Sequence, residues 1–306
     1  MIDFPVPTLL ITGFLGSGKT TFINWLLEKF PEKHISVLLN EFGDIKLESQ
    51  FVKAHHGDIV ELANGCMCCV AKSDVPHAIN YILDKSPQTE HILVEASGMS
   101  DPEPVRATLQ SPELSKRIRY DANLCIVDAL NFESTRAEYP IVLSQVGDAD
   151  IVLLSKVSLV SPEQTQKIIT LLSGIIPDVK ILTFDDTLTP GMFLDPGDIG
   201  KRVRDDSNSH QHTHESFVTC LCQTDKKIDK DKILKFLQSN PKGVIRAKGY
   251  ITASTGEYLL IQYVGNRLEV LEENKKNMNP SSVMLFIGKD INSAEIEHSF
   301  QECVVA

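Results

Sequence analysis

The sequence predicts an α/β fold in which a mostly parallel sheet is covered by helices, followed by a smaller α+β domain. Three observations predict it. Short apolar runs alternate with helical patterning from Pro7 to Thr183. A glycine-rich stretch, Gly13-Phe14-Leu15-Gly16-Ser17-Gly18-Lys19-Thr20-Thr21, lies between the first apolar run and the first helical pattern. From about Thr187 the chain turns to Pro190, Gly191, Pro196, Gly197 and Gly200, then to a polar run from Arg202 to His214, which reads as a linker. The expected partition is residues 1–195, a His-containing linker at 196–215 and an α+β domain at 216–306.

Pro7 to Ile11 reads as a buried parallel strand. Phe22, Ile23, Trp25, Leu26, Leu27 and Phe30 follow in helical patterning, and Pro31 stops the helix. Between them Gly13, Gly18, Lys19 and Thr20 fit G-x-x-x-x-G-K-[ST] without gap or substitution, which makes the first domain a P-loop NTPase. Successive backbone N–H groups in such a loop form an anion nest, and the following helix adds the positive end of its dipole. Gly16 and Gly18 allow backbone conformations that a Cβ would forbid. Lys19 reaches β- and γ-phosphate oxygens, the Thr20 hydroxyl takes one position on Mg²⁺, and Thr21 helps to hold the α-phosphate. The bland alternative, a glycine turn that binds nothing, does not account for the strand before it and the helix after it.

The bulk numbers narrow the function classes. A chain of 306 residues that is 42% hydrophobic and 23% charged is a globular protein with a full core. Its formal net charge of −11 disfavours nucleic acid and anionic membranes as partners, so phosphate must be held by local geometry. No apolar run approaches the length of a transmembrane helix, and Met1-Ile2-Asp3-Phe4-Pro5 lacks the basic region of a signal peptide, so the expected location is the cytoplasm. The chain ends Cys303-Val304-Val305-Ala306, which has the form of a prenylation signal. The segment before it, Ser293 to Glu302, reads as an amphipathic helix without a basic cluster, so a helix ending in a half-buried cysteine is the preferred reading.

Ile35 to Leu39 reads as a second strand, delivering Asn40-Glu41-Phe42-Gly43-Asp44 to its C-terminal end. Open α/β sheets place ligands at that edge. Phe51 to Glu61 is mixed, Ala78 to Leu83 is helical, and His91 to Val94 is the third strand, ending in Glu95-Ala96-Ser97-Gly98. A helix follows through Leu109. Ala122 to Val127 and Ala149 to Leu154 are the fourth and fifth strands, ending at Asp128 and at Ser155-Lys156-Val157-Ser158. Ser161-Pro162-Glu163 opens a helix to about Ile175, with Ser161 as N-cap and Pro162 at N1, and Val179 to Thr183 is the sixth strand. The remainder reads as a strand (Ser216 to Cys222), a helix (Asp229 to Gln238), strands near Gly243–Ala253, Tyr258–Tyr263, Arg267–Leu271 and Val283–Ile287, and a helix from Ser293 to Cys303.

Seven cysteines in a chain without an export signal point away from a disulfide framework. Three of them fall in Gly65-Cys66-Met67-Cys68-Cys69. That spacing is too compressed for a structural zinc finger, but Cys66, Cys68 and Cys69 can supply two or three thiolates to one ion if the loop is irregular. Zn²⁺ is the first choice, with Co²⁺ and Ni²⁺ also compatible. Zn²⁺ wants a fourth ligand, and Glu41, His55 and His56 are the candidates. His210-x-His212-x-His214 is a weak second metal tract, balanced against incidental histidines in a solvated linker. Cys220-x-Cys222 lies on a strand, where period two puts both thiols on one face, so a buried pair is preferred to a metal site.

Four stretches together, Gly13–Thr21, Asn40-Glu41-Phe42-Gly43, Gly65–Cys69 and Glu95-Ala96-Ser97-Gly98, resemble the CobW-like P-loop GTPases, relatives of the nickel chaperones of hydrogenase and urease. Arg246-Ala247-Lys248-Gly249-Tyr250 and Phe286-Ile287-Gly288 resemble the C-terminal domain of that family. The resemblance implies a GTPase that handles a metal, with GTP and Mg²⁺ as cofactors, the cysteine motif as the metal site and a client metalloprotein as partner. Turnover is expected to be slow because nothing in the sequence identifies an arginine finger supplied in cis. It implies that Glu95 is a Walker-B-like carboxylate orienting water or Mg²⁺, that Gly98 offers its N–H to the γ-phosphate, and that Glu41 lies in a switch segment. The chain departs from the family at the base-reading motif N-K-x-D, where it has Ser155-Lys156-Val157-Ser158. Lys156 can still lay its stem over the base. Ser158 offers at most one neutral hydrogen bond where an aspartate would accept two, so guanine preference is expected to persist but to weaken.

The leading expectation is a GTP-hydrolysing metallochaperone, either a monomer or a nucleotide- or metal-dependent homodimer. Its rival is a metal buffer or sensor with a weakened nucleotide site, favoured only by Ser158 and opposed by Lys19, Thr20 and Glu95. A small-molecule kinase would explain neither the cysteines nor the second domain.

Overall fold

The computed structural model of the chain describes residues 5–40, 59–62, 74–194, 217–264, 267–272 and 281–305. It divides into two compact units, Met1–Thr213 and His214–Ala306. The first unit carries strands β1 (Val6–Thr12), β2 (Ile35–Asn40), β3 (Ile59–Leu62), β4 (His91–Glu95), β5 (Ile118–Asp128), β6 (Ile151–Ser155) and β7 (Lys180–Thr183). They form one seven-stranded sheet in the order β3-β2-β4-β1-β5-β6-β7, and every pairing is parallel. Helices α1 (Lys19–Lys29), α2 (Asp74–Lys85), α3 (Glu103–Leu109), α4 (Phe132–Glu138), α5 (Ile141–Gly147) and α6 (Pro162–Ile175) connect the strands.

Parallel strands need crossovers, and the crossovers cover both faces. Strand β1 shows the result residue by residue. Leu9 and Ile11 pack into one core with Phe22, Ile23 and Leu26 of α1, while Leu10 packs into the other with Val75, Ile79 and Ile82 of α2 and Val105 of α3. The alternation is the period-two pleat of a strand buried on both sides. Because all seven strands run the same way, the carboxyl ends of β1, β4, β5 and β6 share one edge, and the residues that follow them form the site.

Three features differ from expectation. The mixed stretch before the cysteine motif contains β3, a four-residue edge strand paired in parallel with β2, so the sheet has seven strands rather than six. Helices α4 and α5, short and broken at Tyr139-Pro140, were not anticipated. The proline- and glycine-rich stretch after β7 is not all linker. Pro190–Phe193 forms a 3₁₀ turn, and Phe193 and Leu194 are buried in the core with Phe22. Phe193 meets Phe22 edge-on with ring centroids 4.9 Å apart. Burial of a phenyl ring outweighs the turn-forming composition around it. The linker at 196–215 lies outside the described residues.

The second unit carries β8 (Phe217–Thr224), α7 (Lys230–Gln238), β9 (Val244–Thr252), β10 (Tyr258–Val264), β11 (Arg267–Glu272), β12 (Ser282–Lys289) and α8 (Ser293–Glu302). Its strands form an antiparallel sheet in the order β11-β10-β9-β12-β8. Ile233 and Leu237 of α7 and Ile296 and Phe300 of α8 close one face against Ala247, Ile251, Ile261, Met284 and Phe286. Both helices have the side-chain caps that their sequences offer, Asp229 accepting from Lys232 N–H and Asn292 from Ala294 N–H. Cys303 is buried in this core, and Asp229 N–H donates to its carbonyl at 2.7 Å. Burial pushes its thiol up to about 11. Among the described residues no helix is long and apolar enough to cross a membrane.

Candidate nucleotide site

The loop between β1 and α1 folds back over the carboxyl end of β1. Gly13 has φ of 127°, and a Cβ on it would lie 2.2 Å from the Ile126 carbonyl oxygen, so no side chain can stand there. Gly16 and Gly18 also have positive φ, 71° and 101°. Helix α1 starts immediately after Gly18, with no side-chain cap and no acidic residue in its first turn. Its amino end is therefore open to an anion. Lys19 is 5% exposed, and its ammonium donates to the Gly13 carbonyl at 2.9 Å and the Phe14 carbonyl at 3.4 Å. It lies across the loop that would receive phosphate. Ser17 Oγ is buried with no hydrogen-bond partner among the described residues, a polar atom left over inside the cradle.

Strand β4 brings the second group of residues to the loop. Ile11 pairs with Glu95, and the following Ala96 N–H donates to the Ile11 carbonyl. Glu95 is 4% exposed, and Thr20 Oγ1 lies 3.5 Å from its Oε2. A hydroxyl and a carboxylate so placed suit a hard divalent cation such as Mg²⁺. Gly98 approaches the P-loop so closely that a Cβ on it would lie 2.8 Å from the Leu15 nitrogen. The Gly98 N–H is buried and makes no hydrogen bond among the described residues. A buried N–H with nothing to donate to is rare in folded chains. Lys19, Thr20, Glu95 and Gly98 thus meet around one loop, which places four of the anticipated residues together.

Strand β6 supplies the third group. Ser155, the first residue of the base-motif positions, donates its hydroxyl to the Ser17 carbonyl at 2.6 Å and lies within 3.2 Å of the Val127 carbonyl. It ties the motif to the P-loop, a role the sequence reading did not assign. Its position in the motif was the available signal. Lys156 has φ of 57°, and its Nζ pairs with Asp128 Oδ2 at 2.6 Å. Asp128 in turn accepts from the Leu130 N–H and from the Asn131 side chain. Ser158 is exposed in the 3₁₀ turn Val157–Leu159. Beyond β7, Phe184 N–H donates to the Leu154 carbonyl, which sets Asp185 beside the end of β6. Hydrogen bonds from the Thr183 and Thr187 hydroxyls hold the Asp185 carboxyl below its usual range. Asp186 is exposed.

Glu41, His55, His56, Cys66, Cys68, Cys69, His210, His212 and His214 lie outside the described residues. Among the described residues there is no group of three or more His, Cys, Asp or Glu side chains able to hold a metal. The Cys220 and Cys222 sulfurs are 3.8 Å apart and buried on the helix-covered face of β8. Burial pushes both thiols up, and Cys125 on β5 is pushed up to about 12, so these three stay neutral packing groups.

A parallel sheet with a G-x-x-x-x-G-K-T loop between β1 and α1, and a buried acid beside the loop's threonine, defines a P-loop nucleotide-binding protein. The chain belongs to the CobW/HypB/UreG family. The nucleotide-binding domain of that family matches residues 7–183, and the C-terminal domain described for the cobalamin synthesis protein cobW matches residues 217–304. The zinc chaperone YjiA of Escherichia coli K12 is 26% identical over 313 residues, covering 97% of this chain and 98% of that one. The zinc-regulated GTPase metalloprotein activator 1 of Schizosaccharomyces pombe is 32% identical over 167 residues, covering 52% of this chain and 41% of that one. The crystal structure of the Zn(II)-bound YjiA GTPase from E. coli covers 98% of this chain and 99% of its own, with 22% identity and a TM-score of 0.47.

Proposed function

We propose that the chain is a slow GTPase and metallochaperone that carries zinc, with Ni²⁺ or Co²⁺ as alternative cargo, and delivers it to a client metalloprotein according to nucleotide state. The observation that carries this reading is the meeting of the buried Lys19, the Thr20 hydroxyl, the Glu95 carboxylate and a Gly98 N–H that is unbonded among the described residues, around one loop. Full-length similarity to a protein named as a zinc chaperone supports the choice of cargo.

In this reading Lys19 turns from the Gly13 and Phe14 carbonyls to the β- and γ-phosphates, and the loop N–H groups hold the remaining oxygens. Thr20 and Glu95 hold Mg²⁺, with Glu95 also orienting water. When bound there, Mg²⁺ would supply neutralisation of the charge that develops on the transferred γ-phosphoryl group. Gly98 donates its N–H to the γ-phosphate, and Phe14 to Gly18 with Thr21 complete the cradle. Lys156 lies over the guanine. Cys66, Cys68 and Cys69 bind the cargo with Glu41 as fourth ligand, and His210, His212 and His214 collect metal weakly. Residues 196–215 link the nucleotide domain at 1–195 to the C-terminal domain at 216–306. The protein acts in the cytoplasm, without nucleic acid or membrane.

Glu41 and the cysteines lie in sequence between the P-loop and Glu95, so nucleotide and metal are expected to bias the same segment. Linkage then requires that each ligand change the other's affinity by the same factor. Zinc titration with GDP and with a non-hydrolysable GTP analogue, repeated on Cys68→Ser, tests this. Different zinc affinities in the two nucleotide states, with the tighter binding lost in the variant, are expected. Identical affinities would remove the coupling. Phosphate release by Lys19→Ala against the parent chain tests hydrolysis separately, and sizing with each nucleotide and zinc tests the choice between monomer and homodimer.

A further inference from the structure

The segment around α5 touches both walls of the nucleotide site. Tyr139, which precedes α5, stacks on Phe14 of the P-loop with ring centroids 5.0 Å apart. Gln145, on α5, is 1% exposed, and its Nε2 donates to the Gly98 carbonyl at 3.1 Å and to the Ser100 carbonyl at 3.2 Å. One amide therefore spends both hydrogens stapling a single turn. Its other end has no such use: Gln145 Oε1 is buried without a hydrogen-bond partner among the described residues. Burying an unpaired amide oxygen is costly, and a Met or Leu would fill the space without that cost. The residue makes physical sense through what its Nε2 holds.

What it holds is the turn that presents the Gly98 N–H. The same region is fixed from behind. Asp148, directly after α5, accepts from Arg106 of α3 at 2.8 Å and from Asn123 of β5 at 2.9 Å. Asn123 accepts from the Thr12 hydroxyl at 2.7 Å, at the root of the P-loop. Helix α3 is the helix that follows the Gly98 turn. Thus α5 and its flanks bind the P-loop, the Gly98 turn and the next helix into one frame.

We infer that Gln145 is a positioning residue that holds the Gly98 N–H where it reads the γ-phosphate, so that it governs discrimination between GTP and GDP. The inference rests on the nucleotide role of Gly98 proposed above. Gln145→Met keeps the side-chain length and removes both donors. Binding of GDP and of a non-hydrolysable GTP analogue, measured on the parent chain and on Gln145→Met, tests it. GDP affinity is expected to stay within about twofold, and GTP-analogue affinity to fall about tenfold, corresponding to 1.4 kcal/mol. Equal losses for both nucleotides mark a merely structural residue and overturn the inference, as does no loss for either.

A second measurement needs no variant. The Gln145 side-chain amide resonances of the parent chain are expected to differ between the GDP and GTP-analogue states, because only the latter adds a partner to the turn that Gln145 holds. Identical resonances in the two states overturn the inference. A parent chain that binds neither nucleotide overturns the nucleotide reading itself, an outcome distinct from both.

Discussion

Thr20 Oγ1 lies 3.5 Å from Glu95 Oε2, joining the first turn of α1 to the end of β4 across 75 residues of chain. If this pair holds Mg²⁺, Glu95→Gln removes the charge but keeps the shape. The Mg²⁺ concentration for half-maximal phosphate release is expected to rise about 10- to 100-fold, the range found when groups supporting a metal are removed. An unchanged Mg²⁺ titration would place the ion elsewhere.

Guanine preference turns on Ser158. A carboxylate there could accept from both the ring N–H and the exocyclic amine of guanine, whereas the present hydroxyl cannot. Ser158→Asp is expected to raise the GTP-over-ATP affinity ratio by about 5- to 150-fold, equivalent to the roughly 1–3 kcal/mol of a bidentate base contact. Competition titration against a labelled nucleotide reads this directly. A ratio that does not move would mean that the base is read by another group.

The Ser155 hydroxyl bridges from β6 to the Ser17 carbonyl inside the P-loop. Ser155→Ala leaves that carbonyl without its buried donor. A loss of about 1 kcal/mol in urea unfolding is expected, the net worth of one intramolecular hydrogen bond. Nucleotide affinity should fall with it, since the loop loses a tether. A variant as stable as the parent would show that water replaces the hydroxyl.

His91, at the start of β4, has Nε2 2.9 Å from the Leu194 carbonyl, while Nδ1 is buried without a partner among the described residues. A carbonyl only accepts, so Nε2 carries the hydrogen and Nδ1 is a bare lone pair. Burial pushes the imidazole pKa below its ordinary value. The unfolded chain then binds more protons than the folded one just below the ordinary imidazole pKa of about 6.5. Stability contributed by His91 is therefore complete above that pH and declines as pH falls through it. Thermal unfolding between pH 7.5 and 5.5 should show a smaller decline in His91→Gln than in the parent chain. Parallel declines would discount His91.

Phe193 packs against Phe22 in the core beside α1, although it sits in a stretch rich in glycine and proline. Phe193→Ala is expected to cost about 3–5 kcal/mol in denaturant unfolding, as for other buried phenylalanines. A loss below about 1 kcal/mol would return residues 188–194 to the linker.

The residues themselves determined the nucleotide loop, the order of most strands and helices, and the family. A phosphate cradle is built from contiguous residues, so Gly13 to Thr21 states its chemistry in one reading, and buried parallel strands announce themselves as apolar runs. Ser161-Pro162 marked the start of α6 for the same local reason. Tertiary structure alone decided the rest. Strand β3 is four residues long at a sheet edge, too short and too mixed for a periodic signal, and exists through its pairing with β2. Phe193 is core because a ring found a space between other rings. Gln145 and Gly98 are 47 positions apart, and Ser155 and Ser17 are 138 apart. A glutamine in a short helix looks like any surface glutamine until the fold buries it and sets two carbonyls before its amide. Contacts of that kind are selected by the closure of the whole sheet, not by neighbours in the chain, and leave no trace in local composition.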